Sequence, residues 1–467
     1  MEAGSFRDRN GRIYYFGDAV YRGISNQALR EWEALARTRF FHELTANGKI
    51  VPTDRVQDSQ VPDAALLQEW SAVLKHDRIP FVSYPYEWSF GMLKDASLVQ
   101  LEVLRRALEE DMTLKDASSF NIQWNGVQPQ FIDIPSFEKF VPNTPWVGYR
   151  QFCKLFLYPL MLQAYKDVAF HSWLRGCIDG IDPEEMNRLL TKRDRLRAGV
   201  FMDVYLQAKL QAKYAESQRA MKDDLRRTGF RKEFIQGNLR RLTKVVSGLQ
   251  WTRIKSEWSQ YADKNSYTDA DSEAKAAFVR TAVGAAPRNL VWDIGCNTGR
   301  YSRIAGEHAK YVVAMDFDHL AVERFYQELK TEHCRTILPL VVNVADASPG
   351  LGWRGLERKS LPDRGTPDMT LCLALIHHIV ISANIPMHEF LEWLASMGTD
   401  LVIEFVSKED PMVKILLKNK EDQYAEYTLE NFETNLKRLF RLIQYEPLKS
   451  GTRVLFHAGS LRKLPGV

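Results

Sequence analysis

The stretch that most restricts what this chain can fold into is residues 291–302, VWDIGCNTGRYS. An apolar run ends in an acid, Asp293. A glycine-containing turn follows, and the pattern predicts a helix starting near Arg300. Gly295 and Gly299 let the backbone turn sharply and approach a ligand closely. Apolar runs recur around this segment at 289–294, 311–316, 337–342, 367–376 and 400–406, with helical segments between them. Alternating strands and helices predict an α/β fold with a doubly wound, mainly parallel sheet. The glycine loop then lies at the carboxyl end of the first strand, where open α/β sheets bind ligands. The last stretch, FRLIQYEPLKSGTRVLFHAG, reads as two strands around residues 449–451 that form an antiparallel edge.

The second strand ends in AMDFD, which puts Asp316 seventeen residues after Gly299. An acid there can accept hydrogen bonds from both hydroxyls of a ribose. The pairing suits NAD or S-adenosylmethionine (SAM), and the details favour SAM. An NAD loop is normally GxGxxG, with helix amides facing a pyrophosphate. Here the glycines are spaced GxxxG, and the Asp293 carboxylate would oppose a pyrophosphate but suit a ligand carrying an amino group.

On these residues the region 250–467 resembles the class I SAM-dependent methyltransferases, whose first motif is D/E-x-G-x-G-x-G. Asp293, Gly295 and Gly299 match it, and Asn297, which also tolerates positive φ, replaces the middle glycine. The resemblance implies a Rossmann-like sheet with an antiparallel edge and SAM as cofactor. It also implies Asp316 on the ribose and Asp346, or secondarily Asn343, near the adenine. The fourth strand and its continuation, DMTLCLALIHHI, match the segment that lines the methyl-transfer centre. His378 and His377 are candidate general bases for a hydroxyl acceptor, or else helix-start residues packed under the loop. Glu404, ending strand five, is a further catalytic candidate; a buried carboxylate there must be paired or solvated. In WSQYADKNSYTD, Tyr261 and Tyr267 are placed to close over SAM or to pack against the sheet.

The N-terminal half reads differently. Residues 10–25 carry a hairpin signal, 26–48 a helix, 62–74 another helix, 79–88 a strand with a Pro-broken aromatic turn, and 97–110 an amphipathic helix. Residues 149–175 predict a buried helical region broken near Pro159. In LKDASSFNIQWNGVQPQFID, Asp116 and Asn121 are separated by four residues, and Asp133 ends a short hairpin. This resembles the D-x-x-x-x-N and D-F-G motifs of protein-kinase-like enzymes, where the first Asp orients the acceptor and the other two residues hold Mg²⁺. Ile-Pro follows Asp133 in place of Phe-Gly, and there is no Gly-rich phosphate loop. The resemblance implies a kinase-like fold without phosphoryl transfer.

The expected organisation is a mixed α/β domain over 1–207, possessing the kinase-like remnant and binding substrate or partner. A basic helical linker over 208–249 and a methyltransferase domain over 250–467 follow. The linker is read as solvated helices bridging the two domains. Sixty-three basic against 59 acidic residues give no electrostatic reason to expect nucleic acid. The five cysteines are scattered without ligand spacing, so neither a disulfide framework nor a metal site is expected, and a cytoplasmic setting fits. No apolar run is long enough to span a bilayer. The functional expectation is methyl transfer to an oxygen or nitrogen of a small-molecule or glycan acceptor. The alternatives are a bifunctional kinase-methyltransferase and a non-catalytic SAM-binding scaffold. The whole chain also resembles rhizobial host-specific nodulation proteins of the NoeA kind, which implies a glycan or lipo-oligosaccharide acceptor.

Overall fold

The computed structural model describes residues 1–215, 231–253, 269–418 and 423–461. The chain divides into two compact units: Met1–Arg253 with Gly350–Arg358, and Ile254–Pro349 with Lys359–Val467.

The first unit opens with an antiparallel sheet of β1 (Gly11–Phe16), β2 (Ala19–Ile24), β3 (Thr53–Arg55) and β4 (Ala72–His76), in the order β1-β2-β4-β3. Gly17, at φ +56, supplies the turn between β1 and β2. Two departures from the sequence reading occur here. The helix expected over 62–74 is short, Ala65–Glu69, and its predicted end is instead β4. Ala72, Val73 and Leu74 are buried while their backbone pairs with β2 on one side and, from Leu74 onward, with β3 on the other. Residues 79–88 hold no strand; a single 3-10 turn, Pro85–Glu87, stands there. Proline at 80 and 85 removes two ladder donors from that stretch.

The buried helix Phe90–Glu109 follows, capped by the Ser89 hydroxyl. Two short antiparallel pairs come next: β5 (Met112–Leu114) with β8 (Phe137–Lys139), and β6 (Ile122–Asn125) with β7 (Gln128–Phe131). Helix Lys232–Gly248, expected as part of a solvated bridge, is packed into this unit. Ile235, Leu239, Leu242 and Val246 form a buried stripe at helical spacing. On the same helix Arg241 donates to both oxygens of the fully buried Asp203 at 2.7 and 2.5 Å.

Gly350–Arg358 is a compact loop closed by pairing of Leu351 with Arg358. Within the first unit, Arg7 grips Glu357 through two bonds of 2.8 and 2.7 Å, and the Arg358 guanidinium lies 4.0 Å from the Phe120 ring centroid.

The second unit is built on seven strands: β9 (Arg288–Ile294), β10 (Ala309–Asp316), β11 (Ile337–Val341), β12 (Met369–Cys372), β13 (Asp400–Val406), β14 (Phe440–Pro447) and β15 (Arg453–Ser460). Their order is β11-β10-β9-β12-β13-β15-β14. The first five run parallel, and β15 and β14 close one edge antiparallel. The strand order reverses between β9 and β12, so the loops leaving these two strands flank the crevice where such sheets take ligands. No helix among the described residues is long and apolar enough to cross a membrane.

The Arg241–Asp203 pair yields a test of the first unit. Removing one partner of a buried ion pair leaves an uncompensated charge and costs about 3 kcal/mol, the low end of the usual range because Arg241 is partly hydrated. Arg241→Leu is expected to lower stability by that amount in urea unfolding; a change under about 0.5 kcal/mol would show the pair to be dispensable.

Candidate functional site

Three carboxylates are buried at or near the carboxyl ends of strands in the second unit: Asp293 on β9, Asp316 on β10 and Glu404 on β13. Their surroundings differ. Asp293 accepts one bond from the Ser302 hydroxyl at 2.5 Å. Asp316 accepts the Asn297 and Asp318 amides at 2.8 and 2.9 Å. No ion pair reaches either of them among the described residues. Burial pushes both carboxyls up to about 6; Ser302 opposes this at Asp293 and the backbone amides at Asp316.

Glu404 is neutralised. It receives Lys275 Nζ at 2.5 Å and Arg453 Nη1 at 3.2 Å. Arg453 also holds Asp410 at 2.8 and 3.2 Å, and Asp410 caps helix Pro411–Leu417. The acid read from sequence as a catalytic candidate is therefore fully buried inside a four-member charge network.

The glycine loop folds around the Asp316 carboxylate. The Gly295 and Cys296 amides both donate to the Met315 carbonyl, and Asn297 follows at φ +49. Gly295 needs its glycine for φ +80. Gly299, at φ +78, needs its own for the backbone turn and for packing alike: a Cβ there would lie 2.0 Å from Phe325 Cζ on helix His319–Thr331. Asn297 Oδ1 is buried without a partner.

The loop after β12 meets the glycine loop directly, since a Cβ on Gly295 would lie 3.4 Å from Leu375 Cδ1. Ala374 in this loop has φ +51, a left-handed conformation that costs a non-glycine residue about 1–2 kcal/mol. Its amide donates to Glu404 Oε2 at 2.8 Å. A bond to a charged acceptor contributes about 1.5–3 kcal/mol, enough to hold the conformation. Beyond Ala374, the rings of His377 and His378 are 4.1 Å apart. His377 is fully buried and neither ring nitrogen has a partner. Burial, helped by neighbouring cationic groups, pushes His377 well below the usual imidazole range and His378 down to about 4, so both are neutral at pH 7.

The structure thus brings together Asp293, Gly295, Asn297, Asp316 and the His377–His378 loop. Asn343 and Asp346 lie exposed on a 3-10 turn after β11, and the Asn343 side chain accepts the Ala345 amide. Tyr261 and Tyr267 lie outside the described residues. Sequence reading missed Lys275, Ser302, Ala374 and Arg453. For Lys275 a signal existed: it stands at a position in register with the buried Phe278, Val279 and Ala282 of helix Asp269–Gly284.

In the first unit, Asp133 lies 3.6 Å from Arg22, which also reaches Asp8 at 3.4 Å. Asp116 and Asp133 each rise from the usual carboxylate range, chiefly through burial, and Asp133 also through repulsion from Asp116. Asn121 accepts the Ile132 amide on its carbonyl, and its side-chain Nδ2 is buried without a partner.

This strand order, with an acid-led glycine loop at the switch point, gives the second unit the class I methyltransferase fold. No family model matches the chain. It is 31% identical over 458 residues to the nodulation protein NoeA of Rhizobium meliloti (strain 1021), covering 97% of this chain and 95% of that protein. The chain belongs to the NoeA family of nodulation proteins. Among solved structures it is similar to the N-methyltransferase NodS of Bradyrhizobium japonicum WM9 in complex with S-adenosyl-L-homocysteine. That likeness has 12% identity over 44% of this chain and all of the other, at a TM-score of 0.32. A second likeness is to the magnesium protoporphyrin IX methyltransferase ChlM of Synechocystis PCC 6803 with the same ligand: 16% identity, 45% and 91% coverage, TM-score 0.30.

The raised carboxyl of Asp293 sets a stability test. Its folded value, about 6, lies above its ordinary 3.8. The stability tied to its protonation is therefore full below 3.8 and lost as pH rises through 6. Asp293→Asn removes the buried charge and is expected to stabilise the protein at pH 8 by on the order of 2 kcal/mol, with no gain at pH 3.5. Thermal unfolding at the two pH values checks this; destabilisation at pH 8 would contradict it.

Proposed function

We propose that the second unit is a SAM-dependent methyltransferase acting on an oxygen or nitrogen of a glycan or related small-molecule acceptor. The observation that carries this reading is the pair of buried, unneutralised carboxylates, Asp293 and Asp316, flanking the glycine loop at the ends of adjacent strands. A carboxylate beside the loop disfavours a pyrophosphate and favours an amino group, while Asp316 suits the hydroxyls of a ribose. The partnerless Oδ1 of Asn297, whose amide binds Asp316, fits a polar ligand, as do the unpartnered ring nitrogens of His377.

When bound, SAM supplies an electrophilic methyl group on a sulfonium. The chain's own residues then have distinct tasks. Asp293 orients the ligand's amino group, Asp316 its ribose, and Asp346 or Asn343 contacts the adenine. The apolar walls around Leu375 exclude water, so that alignment of the acceptor atom is the main contribution. Burial keeps His377 neutral and makes it a weak base, which suffices for an acceptor atom that becomes strongly acidic as the methyl bond forms; a ring nitrogen takes that proton, with His378 as the second candidate. Membership of a nodulation family supports a glycan or lipo-oligosaccharide acceptor. The first unit, including Asp116, Asn121 and Asp133, is assigned to acceptor or partner binding.

Incubation with methyl-tritiated SAM and lipo-chitooligosaccharides is expected to move label into the acceptor. His377→Ala should slow that transfer roughly 10²- to 10⁴-fold while leaving SAM affinity within about threefold. An unchanged rate in His377→Ala would remove the residue from the chemistry. The absence of label from every glycan tried, with SAM bound, would exclude this acceptor class.

A further inference from the structure

We infer that Glu404 is a positioning residue: its carboxylate, neutralised by Lys275 and Arg453, fixes the loop after β12 by holding the Ala374 amide in a left-handed conformation. The bearing on catalysis rests on the methyltransferase reading; the structural part does not. Glu404 stands on β13, next to β12, where Cys372 pairs with Ile403. The chain leaving β12 must therefore pass directly over Glu404. Oε2 takes the Ala374 amide at 2.8 Å and Lys275 Nζ at 2.5 Å, and Oε1 takes Arg453 at 3.2 Å.

The arrangement leaves no room for a base. With Glu404 fully buried and a cation on each oxygen, accepting a proton would break both ion pairs. It does have the properties of a clamp. Lys275 comes from helix Asp269–Gly284, Arg453 from β15, and Asp410 ties Arg453 to the start of helix Pro411–Leu417. Three elements thus fix one carboxylate, and that carboxylate fixes one backbone amide. Ala374 is followed at once by Leu375, against Gly295, and then by His377 and His378. A change of φ at Ala374 would swing all three side chains relative to the glycine loop.

The test compares amide hydrogen exchange with SAM affinity. Glu404→Gln combined with Lys275→Met keeps the shape and removes the paired charges. Exchange over residues 373–378 is expected to rise about tenfold, the loss expected when a charged acceptor becomes neutral, with SAM affinity within about threefold. Adding Ala374→Gly, which adopts positive φ without penalty, should bring exchange back to within about threefold of the unmodified protein. A purely structural network would instead raise exchange throughout the unit, with no rescue by glycine, and that result would overturn the inference. The unmodified protein gives a measurement that needs no variant: the Ala374 amide should exchange as slowly as those of β13. Fast exchange at Ala374 would equally overturn the clamp. Failure of the unmodified protein to bind SAM would sink the methyltransferase reading and leave the exchange results to decide the clamp.

Discussion

A carboxylate taken out of water must be neutralised, protonated or supplied with hydrogen bonds, and the second unit meets that demand in two ways. Glu404 is paired with two cations and becomes part of the scaffold. Asp293 and Asp316 receive only a hydroxyl and backbone amides, which leaves their charge costly and their carboxyls raised to about 6. The scaffold acid spends its charge holding loop geometry. In the proposed function the other two keep theirs for a ligand. Three acids at the same end of one sheet thus differ in their surroundings.

The same logic orders the first unit. Asp203 is fully buried, and Tyr149 and Arg241 both reach it, at 2.6 Å and 2.5 Å. That bond draws helix Lys232–Gly248 into the unit even though the helix carries many basic residues. Arg22 likewise gathers Asp8 and Asp133. Charge in this protein is used to fix long-range contacts as much as to face solvent.

How much of this was legible in the sequence depended on range. Asp293, Gly295, Asn297 and Gly299 share one short motif, and Asp316 follows on the next strand, so local pattern was enough. Strand and helix alternation gave the sheet, including its antiparallel edge. Glu404 was visible as a strand-end acid, but its partners were not. Lys275 is 129 residues away and Arg453 49, and only the folded sheet brings them together. β4 was read as the end of a helix because Ala, Leu and Lys suit either state, and pairing with β2 and β3 decided it. Gly299 was read as letting the backbone turn sharply near a ligand, and its φ of +78 fits the turn, but its packing against Phe325 was not foreseen because local pattern could not dock that helix. The strained Ala374 carries no sequence mark, since nothing local favours a left-handed alanine.

The central claim is that Asp293 and Asp316 hold a SAM molecule in their ionised forms. Calorimetric titration of the intact protein with SAM at pH 7.5 and pH 5.0 tests it most directly. The account predicts one site per chain, with affinity falling about tenfold or more at the lower pH as carboxyls near 6 become protonated. No heat of binding at pH 7.5, or an affinity that does not change between the two pH values, would contradict it.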